Sequence, residues 1–306
     1  MRPTVALVTA RAARGLDEDM PPLTAALAAA GAGAQIVDWD DPQIDWARFD
    51  LVVPRSAWDY AERLPEFLAW AERVARLTTL VNPLPVLRWN TDKHYLGELA
   101  RAGAPVVGTW YAEPGQDAAR TLDEFLAANA CRELVVKPAV GAGARDARRH
   151  ARADRAGILA HIAPLLAARR SVMLQPYLES VDTSGETALM YIDGRFSHAI
   201  RKGALLPAGA PSTAGLFAPE EIVPRSPGAD ELAAAERILA AAPFARLLYA
   251  RVDLLRDAAG APRLLELELT EPSFFLAHAA GSAGRFAAAL LASLGGRTGG
   301  PGGARG

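Results

Sequence analysis

At 306 residues, with 51% hydrophobic and 22% charged side chains, the chain is long enough for two or three compact units around sizeable cores. A formal net charge of −2, with no long basic or acidic block, argues against a nucleic-acid partner and for small molecules. The lone Cys131 has no disulfide partner and no Cys or His at metal-ligand spacing, which argues against zinc and for a reducing cytoplasm. No stretch approaches the ~20 apolar residues of a membrane span, and the run Val5 to Val8 is too short for a signal core.

In chain order, Thr4 to Thr9 reads as a buried strand, Leu23 to Ala30 as a helix stopped at Gly31, and Gln35 to Val37 and Leu51 to Val53 as strands. This order predicts an open α/β unit over residues 1–88. A helix around Pro65 to Leu77 leads to Leu80 and Val81, and Pro83 with Pro85 marks a boundary. A second unit opens at Arg88, where Asn90 or Thr91 caps a predicted helix running to Arg101, ended by Gly103 and Pro105. From Leu134 the pattern turns to strands: Leu134 to Val136, Val172 to Gln175, Thr187 to Ile192, Phe196 to Ile200, Tyr249 to Leu255 and Leu264 to Leu269. Asp193-Gly194 is a two-residue hairpin turn signal. Alanine-rich helices at Ala156 to Arg169, Asp230 to Ala242 and Ala279 to Leu294 make residues 89–294 mixed α+β, divided into two lobes. Gly203 to Pro224 reads as a mobile surface loop and residues 295–306 as a disordered Gly-rich tail.

Of the basic residues, 30 are Arg and three are Lys: Lys93, Lys137 and Lys202. In so Arg-rich a chain a retained Lys marks places where a compact ammonium on a flexible stem does what a planar guanidinium cannot. The plain alternative, leftover surface residues, is weighed by the neighbours. Lys137 ends the apolar run Leu134-Val135-Val136 and precedes the small-residue loop Gly141-Ala142-Gly143-Ala144-Arg145. Such a loop lets backbone N–H groups approach phosphate oxygens, while Lys137 and Arg145 add charge. It is neither GxxxxGK[ST] nor GxGxxG, and an ordinary turn is the alternative. Glu266 and Glu268, two apart on a strand, share a face while Leu265, Leu267 and Leu269 fill the other. If the preceding strand, Arg251-Val252-Asp253, pairs so that Asp253 joins that face, three carboxylates converge as hard oxygen ligands for Mg²⁺. The alternative is a solvated acidic face. His198, in phase with Lys202, is a further candidate for phosphate or substrate contact.

Lys93 in an Asp-Lys helix start, Lys137 in Val-Val-Lys-Pro, the Gly141 to Arg145 loop, Leu174-Gln175-Pro176-Tyr177-Leu178-Glu179, Gly185-Glu186, and Asp253 with Glu266 and Glu268 follow one another in a set order. Over about residues 88 to 292 the chain thereby resembles the ATP-grasp superfamily. The resemblance implies an N-terminal open α/β (pre-ATP-grasp) domain, 1–88, followed by a two-lobed ATP-grasp fold, 89–294, hinged near 175–179. It implies ATP with Mg²⁺, or Mn²⁺ as an alternative. Lys93 and Lys137 would contact phosphates, and Gly141, Gly143 and Arg145 would close over them. Gln175, Tyr177 and Leu178 would touch adenine, with Glu179 or Glu186 on base or ribose. Asp253, Glu266 and Glu268 are implied as metal ligands, and Lys202 and Arg251 as catalytic groups. Glu268 stands where the superfamily usually has Asn, and Pro272 comes one residue late.

Within the superfamily the chain resembles the cyclo-ligases that close O-ureido-D-serine to the antibiotic D-cycloserine. The likeness rests on length, on Pro54-Arg55-Ser56-Ala57-Trp58-Asp59-Tyr60, on Trp89-Asn90-Thr91-Asp92-Lys93, and on Glu266 to Pro272. It implies a C–N ligase in which an acyl phosphate meets a nitrogen of the same molecule. The Pro54 to Tyr60 segment follows a strand at its carboxyl end, where open α/β sheets place ligands. Arg55, with Ser56, would hold the substrate carboxylate and Asp59 an ammonium. Two alternatives stand beside this reading: a ligase joining two separate substrates, and a non-catalytic nucleotide-binding module. The expected partner is a small amino-acid-like carboxylate, with no nucleic acid and no membrane; a homo-oligomer is left open.

Overall fold

The computed structural model describes residues 2–206 and 221–295. The N-terminal unit is built from β1 (Thr4–Thr9), α1 (Met20–Ala29), β2 (Gly33–Asp38), β3 (Leu51–Ser56), α2 (Leu64–Leu77) and β4 (Thr79–Leu80). Its strands lie in the order β2-β1-β3-β4, all parallel. Val5 and Leu7 of β1 pack with Leu23 and Leu27 of α1 on one face, and Ala6 and Val8 pack with Phe67 and Trp70 of α2 on the other. Coverage of both faces is why β1 reads as an unbroken apolar run rather than an alternation. In α2 the buried positions Phe67, Trp70, Ala71 and Val74 follow the helical period and form one stripe.

Two short helices follow, α3 (Leu84–Asn90) and α4 (Tyr95–Arg101), where one capped helix running to Arg101 is predicted. Neither expected cap serves as one. The Asn90 amide donates to Leu267 O (2.7 Å) and accepts from Leu269 N (2.7 Å), while the Thr91 hydroxyl donates to Leu87 O (2.9 Å). The tertiary contact captures Asn90, the chain turns, and Lys93 sits between the helices.

The second sheet comprises β5 (Trp110–Ala112), β6 (Glu133–Pro138), β7 (Arg148–Ala151) and β8 (Val172–Pro176), with helices α5 (Ala118–Ala128) and α6 (Arg155–Ala167). It is antiparallel, in the order β5-β8-β6-β7. Leu134 and Val136 of β6 pack with Phe125 and Ile162 of the two helices, so Val135 and Lys137 face the other way. The sequence reading lacks β5 and β7, which are three and four residues long and carry no apolar alternation.

After a single turn, α7 (Val181–Ser184), the third sheet is formed by β9 (Glu186–Ile192), β10 (Arg195–Lys202), β11 (Ile222–Arg225), β12 (Tyr249–Arg256) and β13 (Pro262–Glu268). Its order is β11-β10-β9-β12-β13, antiparallel throughout. Helix α8 (Ala229–Ala241) and the closing helix α9 (Ser282–Gly295) cover it. Asp193 (φ +49°) and Gly194 (φ +72°) make the predicted turn, both left-handed as a two-residue hairpin demands. Phe286 and Leu290 of α9 join Met190, Ile192 and Leu27 in one core, so α9 seals the N-terminal unit onto the third sheet. Of the predicted Gly203 to Pro224 loop, residues 207–220 lie outside the described residues and β11 occupies its end. Of the predicted tail, Gly295 belongs to α9 and residues 296–306 lie outside. Among the described residues no helix is long and apolar enough to cross a membrane.

Candidate active site

A cleft of about 630 Å³ opens between the three sheets. On its second-sheet wall stands Lys137, whose side chain makes no hydrogen bond or ion pair with any described residue. Burial pushes its pKa down; Glu266 opposes this and Lys93 reinforces it. A half-buried cation with no carboxylate in direct contact favours an anion beside it. Lys93, 5% exposed, donates from Nζ to Gly141 O (2.6 Å) and pairs with Glu266 Oε1 (3.0 Å). Gly143 (φ +64°), Ala144 (φ +59°) and Asp146 (φ +57°) give the loop compact left-handed turns. Arg145 lines the cleft and reaches Glu62 of the N-terminal unit.

Strands β12 and β13 pair with Asp253 opposite Glu266 and Arg251 opposite Glu268. The three carboxylates therefore share a face, but each is held by a cation. Asp253 pairs with Lys202 Nζ (2.9 Å) and Arg251 Nε (2.9 Å). Arg251 also reaches Glu268, and Lys202 reaches Glu186. Burial would raise Asp253, yet Arg251 and Lys202 hold it well below the usual carboxylate range. Burial pushes Glu268 up to about 8 against Arg251, with Glu266 and Asp253 adding. Glu271, also on the cleft, is pushed up to about 7 by burial against Lys93. Among the described residues no three acidic or imidazole groups are gathered to hold a metal by themselves. The donors fit a hard cation whose shell is completed by phosphate and water, as Mg²⁺ prefers.

Gln175, Tyr177 and Leu178 line the opposite end. Gln175 Nε2 donates to Thr109 (2.9 Å) while its Oε1 is enclosed without a partner. Arg149 lies 3.6 Å over the Tyr177 ring. Glu186 lines the cleft. Glu179, by contrast, is exposed and outside the lining.

The first-domain expectation needs correction. Arg55 is fully buried, with Nη2 on Asp19 (3.1 Å) and its guanidinium 5.5 Å from the Phe274 and Phe286 rings. Ser56 donates to Thr9 Oγ1 (2.8 Å), and Asp59 accepts from Trp39 Nε1 (2.8 Å). None of the three lines the cleft. Trp58 and Tyr60 do line it, together with Asp17, Glu18 and Asp19 from the loop after β1. In the order β2-β1-β3 the connections reverse direction at β1, so ligands belong at the carboxyl ends of β1 and β3 alike. That signal was present for β1 and was read only for β3. His198 also turns away from the cleft, with Nε2 on Phe274 O (2.8 Å).

Residues 5–82 match the family of the D-cycloserine synthetase DcsG N-terminal domain. The chain is 44% identical over 302 residues to the cycloserine biosynthesis protein DcsG of Streptomyces lavendulae, across 95% of this chain and 98% of the relative. The chain belongs to the DcsG family. A crystal structure of D-cycloserine synthetase DcsG matches with a TM-score of 0.90 and 43% identity, covering 95% of this chain and 99% of that one. The ATP-grasp ligase PsnB, in complex with a minimal precursor, Mg and ADP, shares the fold at a TM-score of 0.64 and 20% identity, over 95% and 97% of the two chains. This DcsG-family chain thus has the ATP-grasp fold, an N-terminal α/β unit followed by its two antiparallel sheets.

Proposed function

We propose that this chain closes O-ureido-D-serine to D-cycloserine at the expense of ATP, in the cytoplasm. The 44% identity to DcsG across 95% of the chain supports the substrate, and the unpaired Lys137 on the cleft wall supports a polyphosphate there. Residues 1–88 then form the substrate-side unit and 89–294 the two nucleotide lobes, hinged near 175–179. Lys93, Lys137 and the Gly141 to Arg145 loop hold the phosphates; Gln175, Tyr177, Leu178 and Glu186 hold the nucleoside. When bound, Mg²⁺ at Asp253, Glu266 and Glu268 would screen phosphate charge; carboxylate donors accommodate Mn²⁺ as well.

The substrate carboxylate takes the γ-phosphoryl group and ADP departs. The nitrogen bonded to oxygen in the ureido group forms the ring C–N bond as the acyl–phosphate bond breaks, and the carbamoyl group is then lost to water. Lys93, Lys137, Lys202 and Arg251 are placed to meet the charge that shifts during transfer, and the closed loop keeps water from the acyl phosphate. Incubation with O-ureido-D-serine, ATP and Mg²⁺ is expected to yield D-cycloserine, ADP and phosphate. ADP release only with a separate carboxylate and amine would replace ring closure by a two-substrate ligation.

A further inference from the structure

The loop after β1 carries two buried acids whose surroundings differ. Asp19 is fully matched: Oδ2 accepts from Arg55 Nη2 (3.1 Å), Phe274 N and Phe275 N (3.2 Å), and Oδ1 from Leu276 N (2.6 Å). Three successive backbone donors wrapped on one carboxylate form an anion-holding nest, made possible by left-handed Phe275 (φ +49°). Asp19 therefore fastens the N-terminal unit to the segment after β13 and takes Nη2 of Arg55, whose Nε and Nη1 have no partner among the described residues.

Asp17, 5% exposed and on the cleft lining, is not matched. Among the described residues its Oδ1 accepts from Asp19 N (3.0 Å), and its Oδ2 is enclosed with no hydrogen-bond partner. Ser56, beside it, gives its hydroxyl proton to Thr9 Oγ1 (2.8 Å), and its pull on the Asp17 pKa is the weakest of the influences there. Two carboxylates and one guanidinium leave one surplus negative charge at this wall, and a buried acceptor without a donor is destabilising. Burial raises the Asp17 pKa, with Arg55 opposing, as for a site whose counter-charge arrives with a ligand. Neighbouring Glu18 is exposed, so solvent screens any pair it makes. The Asp17 carbonyl accepts Met20 N (3.2 Å) at the start of α1, which gives the carboxylate a rigid support.

We infer that Asp17 binds the α-ammonium of the amino-acid substrate, leaving the substrate carboxylate to face the lysines across the cleft. This rests on the reading of the substrate as an amino acid; it assigns the specificity-determining contact that Arg55 and Asp59 do not make.

The test is calorimetric titration of D-cycloserine and D-serine into the full-length protein with Mg²⁺ and a non-hydrolysable ATP analogue. Asp17→Asn keeps the shape and the acceptor for the Asp19 N–H. It is expected to bind both ligands at least about 30-fold more weakly than wild type, as loss of one partner of a buried charge pair does, with affinity for the ATP analogue unchanged. The same substitution should leave binding of 3-hydroxypropanoate, which is D-serine without its amino group, unaltered. Equal affinity of wild type and Asp17→Asn for D-serine and D-cycloserine overturns the assignment. So does a wild type that binds D-serine no more tightly than 3-hydroxypropanoate. Asp17→Ser, which also retains an acceptor, stands in if the Asn variant does not fold. Turnover is read separately: no ADP release with O-ureido-D-serine, alongside Asp17-dependent binding, discards ring closure and keeps the ammonium site.

Discussion

Asp253 and Glu266 face each other across the β12–β13 pair, yet each is held by a different lysine, Lys202 at 2.9 Å and Lys93 at 3.0 Å. The two carboxylates are balanced before any ligand arrives. A nucleotide with its metal must therefore redistribute these pairs, with the ammonium groups turning to phosphate. Asp253→Ala leaves buried Lys202 and Arg251 short of a partner and is expected to lower stability by up to about 3–5 kcal/mol, as well as abolishing turnover. Because its folded pKa is depressed, the contribution of Asp253 is full above the usual carboxylate value of about 4 and is lost as pH falls below it. Thermal unfolding of wild type and variant should differ most near neutrality and converge in acid; a constant difference would contradict the pairing.

Lys137→Met is expected to weaken ATP binding by roughly 10- to 100-fold, the usual range for charge-assisted contacts, without lowering the melting temperature. The pKa of Lys137 is pushed down in the fold, so its charged form destabilises the ligand-free protein, and that penalty is relieved as pH rises through the folded value. Calorimetry showing unchanged ATP affinity would remove Lys137 from the phosphate site. Lys137→Arg should fall short as well, because the planar fork does not replace a point charge at a crowded strand end.

His94 bridges Asp92 Oδ1 and Glu113 Oε1 (2.9 Å) and stacks on Tyr111 with ring centroids 4.1 Å apart. The Tyr111 hydroxyl donates in turn to Lys93 O (2.7 Å). The Asp92 hydrogen bond, then Glu113, raise the His94 pKa to about 9 against partial burial. A raised value means that the stabilisation is full below the unfolded pKa of about 6.5 and is lost as pH rises through the folded one. His94→Gln should therefore be clearly destabilising near pH 6 and far less so near pH 10, by thermal unfolding. An equal loss at both would show that His94 acts through packing rather than charge.

Arg55→Met is expected to lower the melting temperature of the ligand-free protein, with a loss of up to about 3–5 kcal/mol, because buried Asp19 loses its ion-pair partner and keeps only its backbone donors. Arg55→Lys should recover only part of it, since lysine lacks the planar group that packs between Phe274 and Phe286. Full stability with either variant, combined with a raised KM, would restore the direct substrate contact that the sequence suggested.

Local regularities made much of the fold and half of the site readable in the chain. The apolar run Thr4 to Thr9, the Asp193-Gly194 turn, Lys137 at the end of an apolar strand and the two-residue spacing of Glu266 and Glu268 all depend on backbone period and turn chemistry, which a sequence displays directly. Tertiary structure alone decided what lies across from each of these. Asn90, a plausible cap by sequence, is captured by the backbone of β13 and its continuation at Leu269, which divides the predicted helix and sets Lys93 in a turn. Arg55, the evident choice for a carboxylate, is enclosed by Asp19 and two phenylalanines that follow more than 200 residues later, while the inconspicuous Asp17 keeps an unmatched oxygen at the cleft. Periodicity determines which face a side chain takes. Whether that face meets solvent, a counter-charge or a ligand is a property of distant segments, and burial makes the difference between a screened surface acid and a binding site.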